Sequence, residues 1–168
     1  MAGNSAEKAY QLGKKYEQIY TGCSQCVIAA LQDTFDIRND AIFKAATGLA
    51  AGGGASIDGS CGAYSGGIMV LSYLMGRERE DFADSDGILL RNFELIRKLH
   101  DEFIQEYGSV ICCNIQTKIF GRPYYIADMD EFERFEKAGG HDALHCPEVV
   151  GKAARWAAEL IIEENLLQ

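Results

Sequence analysis

Six cysteines, Cys23, Cys26, Cys61, Cys112, Cys113 and Cys146, are the residues of this chain best equipped for chemistry. As thiolates, cysteines attack disulfides and ligate metals. Cys61 sits inside the densest glycine cluster, GGGASIDGSCGAYSGG at residues 52–67, although glycine costs a helix roughly 0.5–1 kcal/mol per site. Cys23-Ser24-Gln25-Cys26 is a C-x-x-C pair placed like a thioredoxin-type motif, but the surrounding βαβ pattern is missing. Val27 follows Cys26, which rules out a C-x-x-C-H haem attachment. Cys26 reads more simply as a small buried core residue. Cys112 and Cys113 are adjacent; helical neighbours point about 100° apart, so the two are not expected to act together.

The remaining candidates are fewer. His141 and His145 stand four apart in GGHDALHC beside Cys146. They are candidate zinc ligands, against the simpler reading of polar loop histidines. His100 falls in the apolar register of a long helix and is expected to be a satisfied core histidine. No serine–histidine–acid or paired-carboxylate constellation stands out, and the acidic runs DMDEFE and EEN read as solvated helix faces. The glycine cluster follows ATGLAA, which reads as helix, and no G-K-[ST] follows it. A phosphate-binding loop is therefore not expected.

The elements that must position these thiols are helices. Only two prolines and little strict alternation occur in the chain, which predicts an all-α, compact single-domain helical bundle over residues 1–168. Helices are expected at about 5–20, 23–35, 40–51, 61–76, 85–107 and 147–164, with shorter pieces near 111–119 and 129–138. In the long one, Leu89, Phe93, Ile96, Phe103 and Tyr107 form one stripe, with Ser85 and Asp86 as the N-cap and Gly108 as the stop. In the last, Val150, Ala153, Ala157, Leu160 and Ile161 repeat the pattern behind Pro147.

Four thiols fall at predicted helix starts. Cys23 follows Thr21, Cys61 follows Ser60, Cys112 lies three residues after Ser109, and Cys146 precedes Pro147. Thr21 and Ser109 are candidate caps. Free N–H groups and the positive end of the helix dipole favour a thiolate at such places. Gly52, Gly53 and Gly54 are expected to end a helix and turn the chain. Gly62, Ala63, Gly66 and Gly67 then leave one side of the next helix nearly free of side chains. That side can receive an inorganic group, with Gly62, Ala63 and Gly66 as its binding residues, or simply another helix.

Composition narrows the setting. A chain of 168 residues buries about 70% of its unfolded surface and needs neither disulfides nor metals merely to fold. The net charge of −9 argues against a nucleic-acid partner. No apolar run is long enough for membrane insertion, and the first residues read as an amphipathic helix with no signal peptide. A cytoplasmic location is expected, where cysteines lean towards metal or redox roles.

These residues also carry a resemblance. The chain resembles the C_GCAxxG_C_C family of redox-active bacterial and archaeal proteins, named for their cysteine pattern. The likeness lies in Cys23-Ser-Gln before an apolar helix and in C-G-A-x-x-G at Cys61-Gly62-Ala63-Tyr64-Ser65-Gly66. It continues in Gly108-Ser109-Val110-Ile111-Cys112 and in Cys146 at the opening of the final helix. It spans roughly residues 20–160. The resemblance implies a mainly helical fold, a redox role, and Cys23, Cys61, Cys112 and Cys146 as the redox-active or metal-ligating thiols. A similar domain accompanies haem modules in split-Soret-type cytochromes, where an iron–sulfur centre has been proposed; this chain lacks the haem part. Cys26 and Cys113 depart from the family pattern.

Two versions of that role follow. The four thiols hold an iron–sulfur cluster for electron transfer, most simply [2Fe–2S] with four cysteine ligands, or they cycle between dithiol and disulfide as an oxidoreductase would. The alternative is a structural zinc site in a helical interaction domain without redox activity, and in a last reading the cysteines are mere core residues. A redox partner protein is expected, and a homo-oligomer is compatible with the sequence.

Overall fold

The architecture is a bundle of α-helices, in a computed structural model that describes residues 2–167. Among the described residues there is no strand, only one isolated bridge between Ser60 and Ile111. The first helix, α1 (Ala2–Tyr20), and the last, α8 (Cys146–Glu163), form the most extensive pair. Small residues permit that closeness: Ala6, Ala9 and Gly13 face inward on α1, and Ala153, Ala154, Ala157 and Ala158 on α8. The stripe expected on α8 is buried throughout. Helix α2 (Cys23–Phe35) packs against α1, α8 and α4 (Gly62–Leu74). Its Val27, Ile28 and Leu31 are fully enclosed.

The predicted helix over 40–51 breaks in two. A short α3 (Asp40–Ala45) is capped by the Asn39 side chain, which accepts from the N–H groups of Ala41 and Ile42 at 3.1 Å. A 3₁₀ segment, Thr47–Gly52, follows, and inside it Ala50 is extended and Ala51 left-handed, at φ 53°. Helical hydrogen bonding gives way there to a loop in which Gly54 N–H bonds Gly48 O and Ile57 N–H bonds Ala51 O.

The long helix α5 (Ile88–Tyr107) starts later than expected. Gly87 holds the N-cap position in the left-handed region, and the Asp84 carboxylate, not Ser85 or Asp86, accepts from Leu89 N–H. Its buried stripe is Leu95, Leu99, Phe103 and Tyr107, while Phe93 stays 52% exposed. Four-residue steps on that face meet the bundle, and Phe93 lies off them. Gly108 ends the helix as expected, donating to Ile104 O. Phe103 stacks edge-on with Tyr64 and Trp156 at 5.3 Å. His100 is not a core residue: its side chain is 40% exposed, with Nδ1 3.2 Å from Asp101 Oδ1.

Helix α6 (Cys112–Phe120) and helix α7 (Met129–Lys137) complete the chain. Asp128 caps α7 by accepting from Asp130 and Glu131 N–H, and the α7 side chain Phe135 packs on Phe120 and Tyr124.

Candidate functional site

All four helix-start cysteines are placed as expected. Cys23 is the first residue of α2, Cys61 the N-cap of α4, Cys112 the first residue of α6 and Cys146 the first of α8. The side-chain caps are not. Gly22 and Ile111 occupy the N-cap positions of α2 and α6. The Ser109 hydroxyl instead accepts from Ile111 N–H at 3.0 Å, one position before the helix.

The four cysteines line one cavity of about 260 Å³. Its remaining wall is mostly apolar, with Ile115, Val149 and Val150 from the bundle and Ile126, Phe132 and Phe135 from the 121–145 segment. That segment covers the cavity.

Backbone hydrogen bonds join the segments that carry Cys61 and Cys112. Cys61 N–H donates to Val110 O at 2.8 Å, Cys112 N–H to Gly59 O at 3.0 Å and Cys113 N–H to Ile57 O at 2.8 Å. These bonds tie the start of α4 to the start of α6, and they occupy N–H groups that helix geometry alone would leave free. Cys23 and Cys61 thiols are within hydrogen-bonding reach of each other, and Ala51 N–H points at the Cys23 sulfur. Gln116 Nε2 lies 3.8 Å from Cys112 Sγ, while its Oε1 accepts from Tyr124 N–H at 2.7 Å.

Thr21, Ala51 and Ile57 hold the segments around these sulfurs with positive φ, at 57°, 53° and 60°. Left-handed backbone in a non-glycine residue costs on the order of 1–3 kcal/mol and tends to collect at functional sites.

At three of the four helix-start cysteines the surroundings oppose the helix dipole. The hydrogen bond from Cys61, then burial and the charge of Glu17, push the Cys23 thiol well above its ordinary range. Burial, then Glu17 and Cys23, does the same to Cys146. Burial and the nearby Cys23 and Cys113 take Cys112 up to about 12. Desolvation and like charges outweigh the dipole here.

The glycine-side residues are placed by packing. An ideal Cβ on Gly66 would lie 2.4 Å from Ser24 O, and one on Gly62 would lie 2.4 Å from Cys23 Sγ. Ala63 is completely buried in the bundle core. The small face of α4 therefore receives α2, and none of these three residues lines the cavity.

Cys26 is 3% exposed and part of the core, its thiol donating to Thr21 O at 3.2 Å. Cys113 lies outside the cavity beside Asn114. The histidines separate. His145 stacks on Phe120 at 4.5 Å and bonds Gly139 O and Asp142, whereas His141 lines the thiol cavity.

Two further wall residues have no place in the motif. Glu17 is 3% exposed and Gln116 also 3%. Both had a signal: Glu17 continues the inward stripe of Ala6, Ala9 and Gly13 on α1, and Gln116 follows Ile115 on the inward face of α6. Among the described residues no group of three or more His, Cys, Asp or Glu side chains is gathered around a single point that could hold one metal ion. The thiols stand around a space.

A family model described as "Putative redox-active protein (C_GCAxxG_C_C)" matches residues 21–160. The chain belongs to the C_GCAxxG_C_C family. The family match contains all six cysteines and every helix from α2 to α7, and it ends within α8. No curated protein and no solved structure matches the chain. Among the described residues, no helix is long and apolar enough to cross a membrane.

Proposed function

We propose that this C_GCAxxG_C_C protein is a cytoplasmic electron carrier whose cavity houses an iron–sulfur cluster of the [2Fe–2S] type, ligated by Cys23, Cys61, Cys112 and Cys146. One observation carries the reading: four thiols from four separate helix starts converge on a single, largely apolar space of about 260 Å³. That is far more than the ~30 Å³ share of one water molecule, and it is lined by the donor set that [2Fe–2S] clusters take. When bound, the cluster supplies one-electron transfer with a redox partner protein.

The chain's own residues then have definite tasks. Ala51 N–H and Gln116 Nε2 stand at the Cys23 and Cys112 sulfurs, where hydrogen bonds tune a reduction potential. Ile126, Phe132 and Phe135 give the space an apolar wall that limits its contact with water.

The other chemistries are less well matched. Attack on a partner's disulfide needs access to the attacking sulfur, and Cys61 and Cys112 are only 7% and 8% exposed. A single zinc ion draws its ligands to one point at about 2.3 Å, an arrangement absent among the described residues. A second reading retains support from the Cys23–Cys61 contact: these two thiols would form a reversible disulfide.

Anaerobic purification, a visible spectrum, and counts of iron, sulfide, zinc and free thiols test all three. Broad visible absorption with stoichiometric iron and sulfide is expected. Serine at Cys23, Cys61, Cys112 or Cys146 should abolish it, while Cys26→Ser and Cys113→Ser should keep it. A colourless, metal-free protein that reversibly loses two thiols on mild oxidation would shift the assignment to Cys23 and Cys61. Stoichiometric zinc without colour would make the site structural.

A further inference from the structure

Glu17 is the one carboxylate among the residues lining the thiol cavity. It is 3% exposed, and its Oε2 has no hydrogen-bond partner. The cysteine pattern gives it no role, and burying a carboxylate with one oxygen unpartnered costs the fold free energy. The groups facing it are Cys23 and Cys26 on α2, Cys146 at the start of α8, and His141 in the covering segment. None of the four proposed ligands hydrogen-bonds it; the Cys26 thiol lies beside it and donates to Thr21 O.

His141 connects this carboxylate to the surface. Its Nε2 stands 3.8 Å from Glu17 Oε1, an ion-pair distance that a side-chain shift of about 1 Å closes to a hydrogen bond. Its Nδ1 stands 2.5 Å from Glu136 Oε1. The Glu136 side chain is 41% exposed, against 18% for His141. Phe135 meets the imidazole edge-on at 5.2 Å and fixes the ring between the two carboxylates. Exposure thus falls stepwise from Glu136 through His141 to Glu17, and an imidazole passes protons between its two nitrogens.

We propose that Glu136, His141 and Glu17 form a proton relay that couples proton uptake to reduction of the centre in the thiol cavity, an inference that rests on the redox reading above. An electron arriving from a one-electron donor protein places negative charge in a largely apolar space, and a proton entering beside it offsets that charge. Glu136 takes the proton from water and gives it to His141 Nδ1. His141 releases the proton on Nε2 to the Glu17 carboxylate as the two side chains close to hydrogen-bond distance. Glu136 returns to its ionised form, the imidazole is left as its other tautomer, and Glu17 ends as the neutral acid. The net change is one electron and one proton added to the protein. Oxidation runs the same path outward.

The test is a spectroelectrochemical titration of the loaded protein from mildly acid to mildly alkaline pH, with dithionite as reductant. The wild type is expected to shift its redox equilibrium tenfold per pH unit, which is about 59 mV for a one-electron couple. Glu17→Gln keeps the shape and removes the proton acceptor, so its potential should be flat over the same range. His141→Asn and Glu136→Gln should leave the slope and slow proton uptake, followed by a pH indicator in stopped flow, on the order of 10²-fold. The surface variant Glu136→Gln keeps the relay testable if Glu17→Gln fails to fold. A coloured, iron-loaded protein with a pH-independent potential overturns the relay alone, as does a Glu17→Gln protein that keeps the slope. A protein with no redox-linked spectral change overturns the cluster reading and the relay with it.

Discussion

Burial holds the Glu17 carboxyl above its ordinary range, against weaker opposing pulls from Cys26 and His141. The sign of its effect on stability follows from linkage. A group whose folded-state pKa is raised contributes stability below its unfolded value, about 4.3 for glutamate, and loses that contribution as pH rises through the folded value. Glu17→Gln, which cannot ionise, should therefore gain on the wild type as pH rises from acid to neutral. Urea unfolding of the two proteins at both ends of that range measures the difference; an advantage that shrank with rising pH would contradict the assignment. Ala51 offers a second test at this scale. Its left-handed backbone aims an N–H at Cys23 Sγ, so Ala51→Gly should relieve strain and stabilise the fold by on the order of 1 kcal/mol. A chemical denaturation curve will show it.

At the scale of elements, the contact between α2 and α4 sets where Cys23 meets Cys61. Gly66 of α4 lies against Ser24 of α2, with no room for a Cβ. Gly66→Ala must push the two helices apart, at a cost of about 1–3 kcal/mol. Thermal melting reads the loss, and the four-thiol centre should load less iron per chain. The helices themselves were legible in the sequence because a 3.6-residue apolar period, a proline at a first turn and a glycine stop are local signals. Errors fell where a distant contact overrode local preference. The break at Ala50 and Ala51 serves the approach to Cys23, and the inward face of α5 was chosen by what it meets, so Leu95 and Leu99 are buried and Phe93 is not. In the sequence, the glycine face of α4 fits both helix packing and clearance for an inorganic group. The Cβ distances put Gly66 against the Ser24 backbone, as packing requires, and make Gly62 the clearance for the Cys23 sulfur.

For the molecule as a whole, the site has no single element of its own. Its thiols come from the starts of α2, α4, α6 and α8, and its cover from residues 121–145. A ligand bound by all four thiols would clamp the whole bundle, because binding that requires the folded arrangement is also folding free energy. The loaded protein should melt higher than the same protein stripped with a chelator, by roughly 2–4 °C for each kcal/mol of linkage. Equal melting temperatures would mean that fewer than four helices hold the centre. The sequence by itself determined the helical class, the family and the four helix-start cysteines, since each is written in residues that lie near one another along the chain. Only the tertiary structure decided that those thiols share one cavity, that hydrogen bonding, burial and neighbouring charge raise three of them above their ordinary range, and that Glu17 and His141 stand beside them. Those facts depend on contacts between segments far apart in the chain, and on the loss of water that such contacts bring.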